Sequence, residues 1–87
     1  MSNVMAGLKM RSVTVYTAPG CAYCLFVESF LKRNSIPFKE IDISKNKAAK
    51  EQMIRISGQE NVPVVEIGDV VIVGYDLRKM KDALGVE

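Results

Sequence analysis

The apolar residues of this sequence fall into four short runs that predict strands. Each run is rich in β-branched or aromatic residues, which pack well on a pleated and partly buried surface. Gly68 and Asp69 form a turn signal between the last two runs, so these strands are expected to pair as a hairpin. The predicted strands cover residues 13–16, 38–43, 63–67 and 70–73.

The segment after the first strand repeats apolar side chains at about 3.6-residue intervals and predicts a helix that begins at the cysteines. Asn34, Ser35 and Pro37 are expected to end this helix. We expect Leu25, Phe26 and Phe30 to face the core from it. The stripe that carries them comprises Ala22, Leu25, Phe26, Ser29, Phe30 and Arg33.

Two further helices follow in the pattern. Ser44 is the expected N-cap of the second helix, and Gly58 is its expected stop. Asp76 is the expected N-cap of the third helix. The inward faces comprise Ala48, Ala49, Gln52, Met53 and Ile56 in the second helix, and Leu77, Met80, Ala83 and Leu84 in the third.

The predicted order of elements is βαβαββα, which indicates an α/β fold with a four-stranded mixed sheet flanked by helices. The first two strands are joined through a helix, so they should be parallel with a right-handed crossover. Residues 1–10 show no clear periodicity and are interpreted as a loose N-terminal extension. Residues 11–87 are interpreted as one domain.

Composition and charge narrow the possible functions. The chain has 87 residues, of which 48% are hydrophobic, and a net charge of +2 that gives no strongly basic surface for nucleic acid or membrane binding. No run approaches the roughly 20 apolar residues of a transmembrane helix, and the first ten residues lack the apolar core of a secretory signal. We therefore interpret the protein as a cytoplasmic monomer that binds neither nucleic acid nor membrane.

Cys21 and Cys24 are the candidate chemical groups, because a C-x-x-C pair where a strand gives way to a helix is typical of redox sites. A helix N-terminus favours the thiolate form of Cys21 and is expected to lower its pKa below that of a free thiol. Cys21 is thus the expected nucleophile, and Cys24, one turn later, the expected resolving thiol. The alternatives are two inert buried cysteines or a metal site. A closed zinc site takes four ligands, and this chain has two cysteines and no histidine, so no metal is expected.

With these cysteines and a proline that opens the third strand, the sequence resembles the glutaredoxins of the thioredoxin-fold superfamily. The resemblance spans residues 12–84 and is closest to short bacterial glutaredoxin-like redoxins. It implies a thioredoxin-like fold and disulfide reduction without a bound cofactor. The motifs that carry it are Val15-Tyr16-Thr17, Cys21-Ala22-Tyr23-Cys24, Asn61-Val62-Pro63 and Val73-Gly74-Tyr75-Asp76.

The same resemblance implies a substrate-binding surface. Pro63 would follow a cis peptide bond and face the cysteines, and the backbone of Val62 would pair with the substrate like an added strand. The segment that ends at Asp76 would hold the γ-glutamyl end of glutathione at a helix N-terminus. The implied substrate-binding residues are Tyr23, Val62, Pro63, Gly74, Tyr75 and Asp76.

Several positions depart from the family pattern. Glutaredoxins commonly have proline where this chain has Ala22, lysine where it has Thr17 or Ala18, and glycine where it has Val73. These changes weaken the expectation of tight glutathione binding. The electron donor is therefore left open between glutathione and thioredoxin reductase, with ribonucleotide reductase as a partner in the second case. A non-catalytic thiol or metal-binding module is the remaining alternative.

Overall fold

The computed structural model describes residues 11–86, so the predicted extension, residues 1–10, lies outside the described residues. Seven elements follow the predicted order and confirm the thioredoxin-like α/β fold. They are β1 (Val13–Thr17), α1 (Ala22–Arg33), β2 (Lys39–Asp42), α2 (Lys47–Ser57), β3 (Val64–Ile67), β4 (Val70–Val73) and α3 (Leu77–Leu84).

The four strands form one mixed sheet in the order β2-β1-β3-β4. β1 is parallel to β2, whereas the β1–β3 and β3–β4 pairs are antiparallel. The register places Tyr16 opposite Val64, and Val64 opposite Val73. The end of β1, the start of β3 and the end of β4 therefore meet at one end of the sheet, where α1 also begins.

The sheet has a hydrophobic cluster on each face, because neighbouring residues of a strand point to opposite sides. Val15 and Val65 pack with residues of α1 and α3, including Met80. Tyr16 and Val64 pack with Met53 of α2 on the other face. Tyr16 is 4% exposed and belongs to the core.

The predicted inward face of α1 is wrong for two of its three anchors. Phe30 is buried, but Leu25 is 65% exposed and Phe26 is 49% exposed. The true inward face runs through Cys24, Val27, Glu28, Phe30 and Leu31. Cys24 acts as a small apolar residue, and with Val27 and Leu31 it completes the i, i+3, i+7 spacing of a buried helix face.

The predicted cap of α2 is also wrong. Asn46 is the N-cap residue, and its Oδ1 accepts a hydrogen bond from the Ala49 N–H at 2.9 Å. Ser44 is engaged two residues earlier, where its N–H and its hydroxyl both donate to the Asp42 carboxylate. Ser44 therefore stabilises the turn after β2 instead of the helix.

The other helix ends agree with the sequence pattern. Gly58 ends α2 in the left-handed conformation, with φ of +74°. Asp76 caps α3 by accepting the Lys79 N–H at 3.1 Å. Met80 is fully buried, and Leu77, Ala83 and Leu84 pack beside it. The predicted strands 38–43 and 63–67 are each slightly shorter in the structure. β3 begins at Val64 because the preceding proline has no N–H to donate to the sheet.

No helix among residues 11–86 is both long enough and apolar enough to cross a membrane.

Candidate active site

Cys21 and Cys24 lie at the start of α1, just beyond the end of β1. Cys21 is the N-cap residue of α1, and its Sγ accepts a hydrogen bond from the Cys24 N–H at 3.1 Å. The two side chains form a disulfide, with their Cα atoms 5.3 Å apart. Cys24 is 1% exposed, whereas Cys21 is partly exposed. An incoming sulfur therefore reaches Cys21 more readily than Cys24.

The helix start provides a favourable position for a negative sulfur at Cys21. The first N–H groups of a helix have no partner within the helix, and the helix dipole adds positive potential there. The first turn of α1 contains no acidic residue that would compete for this position. Gly20, with φ of +78°, adopts the left-handed conformation that turns the chain into α1.

A cleft of about 620 Å³ opens beside Cys21, between the loop before α1 and the end of β2. Leu25 contributes an apolar wall, whereas Glu40, Asp42 and Lys45 contribute charged groups. Hydrogen bonds from Ser44 lower the pKa of Asp42, so this carboxylate stays ionised near neutral pH.

Three aromatic rings form a cluster on the other side of the cysteines. The ring centroids of Tyr23 and Tyr75 are 6.2 Å apart in a stacked arrangement. Phe26 lies 5.9 Å from Tyr23 and 5.6 Å from Tyr75. The cluster joins the first turn of α1 to the loop between β4 and α3 and brings together Tyr23 and Tyr75, two of the predicted substrate-binding residues.

The loop before β3 is fixed to the same end of the sheet. The Gly74 N–H donates to the Pro63 carbonyl oxygen at 2.8 Å, which ties the loop after β4 to the start of β3. The Val62–Pro63 peptide bond is cis, as the resemblance implied, and Pro63 is fully buried. The Val62 side chain packs with the cluster beneath α2. Asp76, two residues after Gly74, is committed to capping α3.

Glu28 is a functional candidate that the sequence pattern did not reveal. Its side chain is 7% exposed on the inward face of α1, one turn after Cys24. Burial first, then hydrogen bonding and repulsion with Glu40, raise the pKa of Glu28 to about 7, against an opposing effect of Lys32. Its Oε2 atom has no hydrogen-bond partner among residues 11–86. Counting Cys24 as apolar would have placed Glu28 on the buried face.

Among residues 11–86, no three His, Cys, Asp or Glu side chains are grouped as ligands of a metal ion.

Comparison with known proteins decides the family. The sequence pattern of the Glutaredoxin family matches residues 13–72. This chain belongs to the glutaredoxin family. Glutaredoxin 3 of Escherichia coli strain K12 is 36% identical over 76 residues, which cover 87% of this chain and 92% of that protein.

Solved structures agree with this assignment. The glutaredoxin (grx-1) of Archaeoglobus fulgidus is 35% identical, with a TM-score of 0.78 and coverage of 86% of this chain and 87% of its own. The glutaredoxin-like protein NrdH-redoxin of Escherichia coli shares the fold, with a TM-score of 0.75 at 24% identity and coverage of 82% and 92%.

Family membership and the Cys21–Cys24 pair make this glutaredoxin a thiol–disulfide oxidoreductase. The predicted family, fold and dithiol chemistry are thus confirmed. The electron donor, the protein substrate and the role of each site residue stay predictions.

Proposed function

We propose that this glutaredoxin reduces disulfides with Cys21 as the nucleophile and Cys24 as the resolving thiol. The observation that carries the assignment is the asymmetry of the pair. Cys21 is partly exposed at the helix N-terminus, and Cys24 is buried one turn later with its N–H donated to the Cys21 sulfur. The exposed sulfur suits attack from solvent, and the buried one suits an internal second step.

The reaction proceeds in two exchanges. The Cys21 thiolate attacks one sulfur of the substrate disulfide, forms a mixed disulfide and releases the other sulfur as a thiolate. The Cys24 thiolate then attacks the Cys21 sulfur, which closes the internal disulfide and releases the second substrate thiolate. Two electrons pass from the dithiol to the substrate, and two protons lost by the cysteines are taken up by the released thiolates.

We propose that the substrate lies across the end of the sheet, beside Tyr23, Val62, Pro63, Gly74, Tyr75 and Asp76. The Val62 side chain packs inward, and its peptide N–H and C=O have no hydrogen-bond partner among residues 11–86. These free groups suit pairing with an extended substrate segment. The backbone around Gly74 and the capped start of α3 suit a carboxylate of the substrate.

We propose glutathione as the electron donor and the cytoplasm, where thiols are kept reduced, as the location of a monomeric protein. Lys45 supports this choice because it lines the cleft beside Cys21, where its positive charge can attract a carboxylate of glutathione. The alternative donor is thioredoxin reductase, with ribonucleotide reductase as the protein served. Thr17 and Ala18, which stand in place of the family's usual lysine, favour this alternative.

The catalytic assignment is tested with two single substitutions. Cys21→Ser should abolish disulfide reduction, because the nucleophile is lost. Cys24→Ser should still complete the first exchange and accumulate a mixed disulfide on Cys21, which intact-mass spectrometry detects. Retained activity in Cys21→Ser, or a mixed disulfide on Cys24 in that variant, would contradict the assigned roles.

The donor is tested by running two coupled assays on the same wild-type sample. One contains glutathione, glutathione reductase and NADPH, and the other contains thioredoxin reductase and NADPH. We expect faster NADPH consumption in the glutathione assay. Lys45→Gln should lower that rate about threefold through the lost charge, and Lys50→Gln on the exposed face of α2 serves as the matched control. Faster turnover with thioredoxin reductase would select the alternative.

A further inference from the structure

The first turn and a half of α1 exposes several large apolar side chains next to the cysteines. Leu25 is 65% exposed, Tyr23 is 61% exposed and Phe26 is 49% exposed. At 100° per residue, these three side chains and the exposed Ala22 share one side of the helix, opposite the buried Cys24 and Val27. Large apolar side chains grouped in this way on a small protein mark a binding surface.

This apolar exposure is confined to the end of α1 that carries the disulfide. Farther along the same helix, the exposed residues are Ser29, Lys32 and Arg33. An exposed helix face without a binding role would be expected to have polar residues in both halves of the helix. The restriction to the cysteine end therefore links the apolar surface to whatever meets the disulfide.

The surface extends beyond α1 through ring contacts. Tyr75, 38% exposed on the loop after β4, lies within 6.2 Å of the ring centroids of Tyr23 and Phe26. On the opposite side, Leu25 lines the cleft that also contains Cys21. We name Tyr23, Leu25, Phe26 and Tyr75 the apolar collar.

The charges around the site indicate what this surface can bind. The collar carries no charge, and the adjoining cleft combines Glu40 and Asp42 with Lys45. Glutathione has two carboxylates and one ammonium group, and the side chains of Leu25 and Phe26 can pair with none of them. A peptide segment with apolar side chains next to its disulfide-bonded cysteine would instead bury the exposed rings and Leu25 while its sulfur meets Cys21.

We propose that the apolar collar, with Leu25 and Phe26 as its determining residues, selects protein disulfides whose cysteine is flanked by an apolar side chain. The inference rests on the proposed disulfide reduction and names its substrate class. The kind of substrate that covers the collar follows from the chemistry. Disulfide exchange at Cys21 requires the residues beside the substrate cysteine to lie against the surface that surrounds Cys21. Tyr23 and Tyr75 support the collar, whereas Leu25 and Phe26 lie outside the set implied by the family resemblance.

The test uses the pre-reduced protein as the only reductant, so the electron donor does not enter. The probes are two disulfide-linked peptide dimers that differ in one residue, Phe or Ser beside the cysteine, and bis(2-hydroxyethyl) disulfide as a small reference. One reduced protein converts one disulfide into two thiols. The rate constant for each is measured by acid quenching, alkylation and chromatography of the released thiol.

We expect the wild-type protein to reduce the Phe peptide about tenfold faster than the Ser peptide, the ratio that corresponds to about 1.4 kcal/mol. The double substitution Leu25→Ser/Phe26→Ser should bring this ratio below about twofold while the variant still reduces the small disulfide. Val70→Ser is the matched control, because Val70 is 39% exposed at the other end of β4, opposite Ile67. It should keep the tenfold ratio.

The outcomes separate the two proposals. Failure of the wild-type protein to reduce any of the three disulfides would overturn the proposed function. Reduction of all three with equal rates for the two peptides, or a ratio unchanged in the double variant, would overturn the collar alone. The single substitutions Leu25→Ser and Phe26→Ser, each expected to lower the ratio about threefold, serve if the double variant does not fold. A concentration-dependent dimer that Phe26→Ser dissociates would assign the collar to a second copy and also contradict the proposal.

Discussion

Glu28 shows how a single residue can connect the active-site helix to the pH response of the whole fold. It lies one turn after Cys24 on the buried side of α1, and Glu40 of β2 is its carboxyl neighbour. The groups that act on its titration are Glu40, which opposes ionisation, and Lys32, which favours it. Burial has the largest effect, so ionised Glu28 costs stability that protonated Glu28 does not.

The sign of the pH effect follows from the raised pKa of Glu28. The ordinary pKa of a glutamate side chain is 4.5, whereas the pKa of Glu28 in the folded protein is about 7. The folded protein therefore holds a proton that the unfolded chain has lost between these two values. The stabilisation from protonated Glu28 is fully present below pH 4.5 and is lost as the pH rises through about 7. Its size is on the order of 1–3 kcal/mol.

The prediction is that Glu28→Gln removes this part of the pH dependence. The variant should have a higher free energy of unfolding than the wild type at pH 8 and lose that advantage at pH 5, because a neutral amide has no proton to release. Urea unfolding at several pH values measures the difference. Glu51→Gln, on the exposed face of α2, should stay parallel to the wild type. Parallel curves for Glu28→Gln would show that Glu28 ionises normally.

At the scale of elements, the sequence pattern located every helix and strand but misplaced one helix face. Leu25, Phe26 and Phe30 match helical spacing, and large apolar side chains are ordinarily counted as core. The competing pattern of Cys24, Val27 and Leu31 is less conspicuous, because Cys24 is interpreted as a chemical group and not as a core residue. This second pattern faces the core because α1 must also bring its N-terminus to the end of β1. Leu25 and Phe26 are left outside by this requirement.

The N-cap of α2 could not be decided from residue type alone. Ser44 and Asn46 both have side chains that cap helices well. The choice depends on Asp42, whose carboxylate accepts both hydrogen bonds from Ser44 and whose position follows from pairing with Thr17 across the sheet. Strand pairing is a long-range property, so local sequence does not reveal which residue remains free to cap. Gly58 and Asp76 had no such competitor, and their roles were predicted.

For the whole molecule, the motifs were separate in sequence and met only through the topology. Cys21, Pro63 and Gly74 belong to three connections, which the antiparallel registers of β1, β3 and β4 bring to one end of the sheet. The resemblance to glutaredoxins anticipated this grouping. The cleft beside Cys21 was not anticipated, because it depends on the parallel pairing of β1 with β2 that places Glu40 and Asp42 nearby.

The two hydrophobic clusters share the same strands, so they should unfold as one unit. Val15 and Tyr16 are neighbours in β1 but belong to different clusters, and Val64 and Val65 are divided in the same way in β3. Loss of packing on either face therefore disturbs the strands that position the cysteines. Met53 and Met80 test this connection, because each is 0% exposed and they lie in opposite clusters.

The prediction is that Met53→Ala and Met80→Ala each lower the free energy of unfolding by about 2–5 kcal/mol. Each variant should also keep a single transition that tyrosine fluorescence and far-ultraviolet circular dichroism report at the same urea concentration. Val70→Ala is the control and should change the free energy by less than about 0.5 kcal/mol, since Val70 is exposed. If α2 unfolded separately from the sheet, Met53→Ala would split the two signals, and dithiol activity would persist at urea concentrations where part of the helical signal had been lost. A common transition instead means that the reactive cysteines depend on both faces of the sheet, including the face they do not touch.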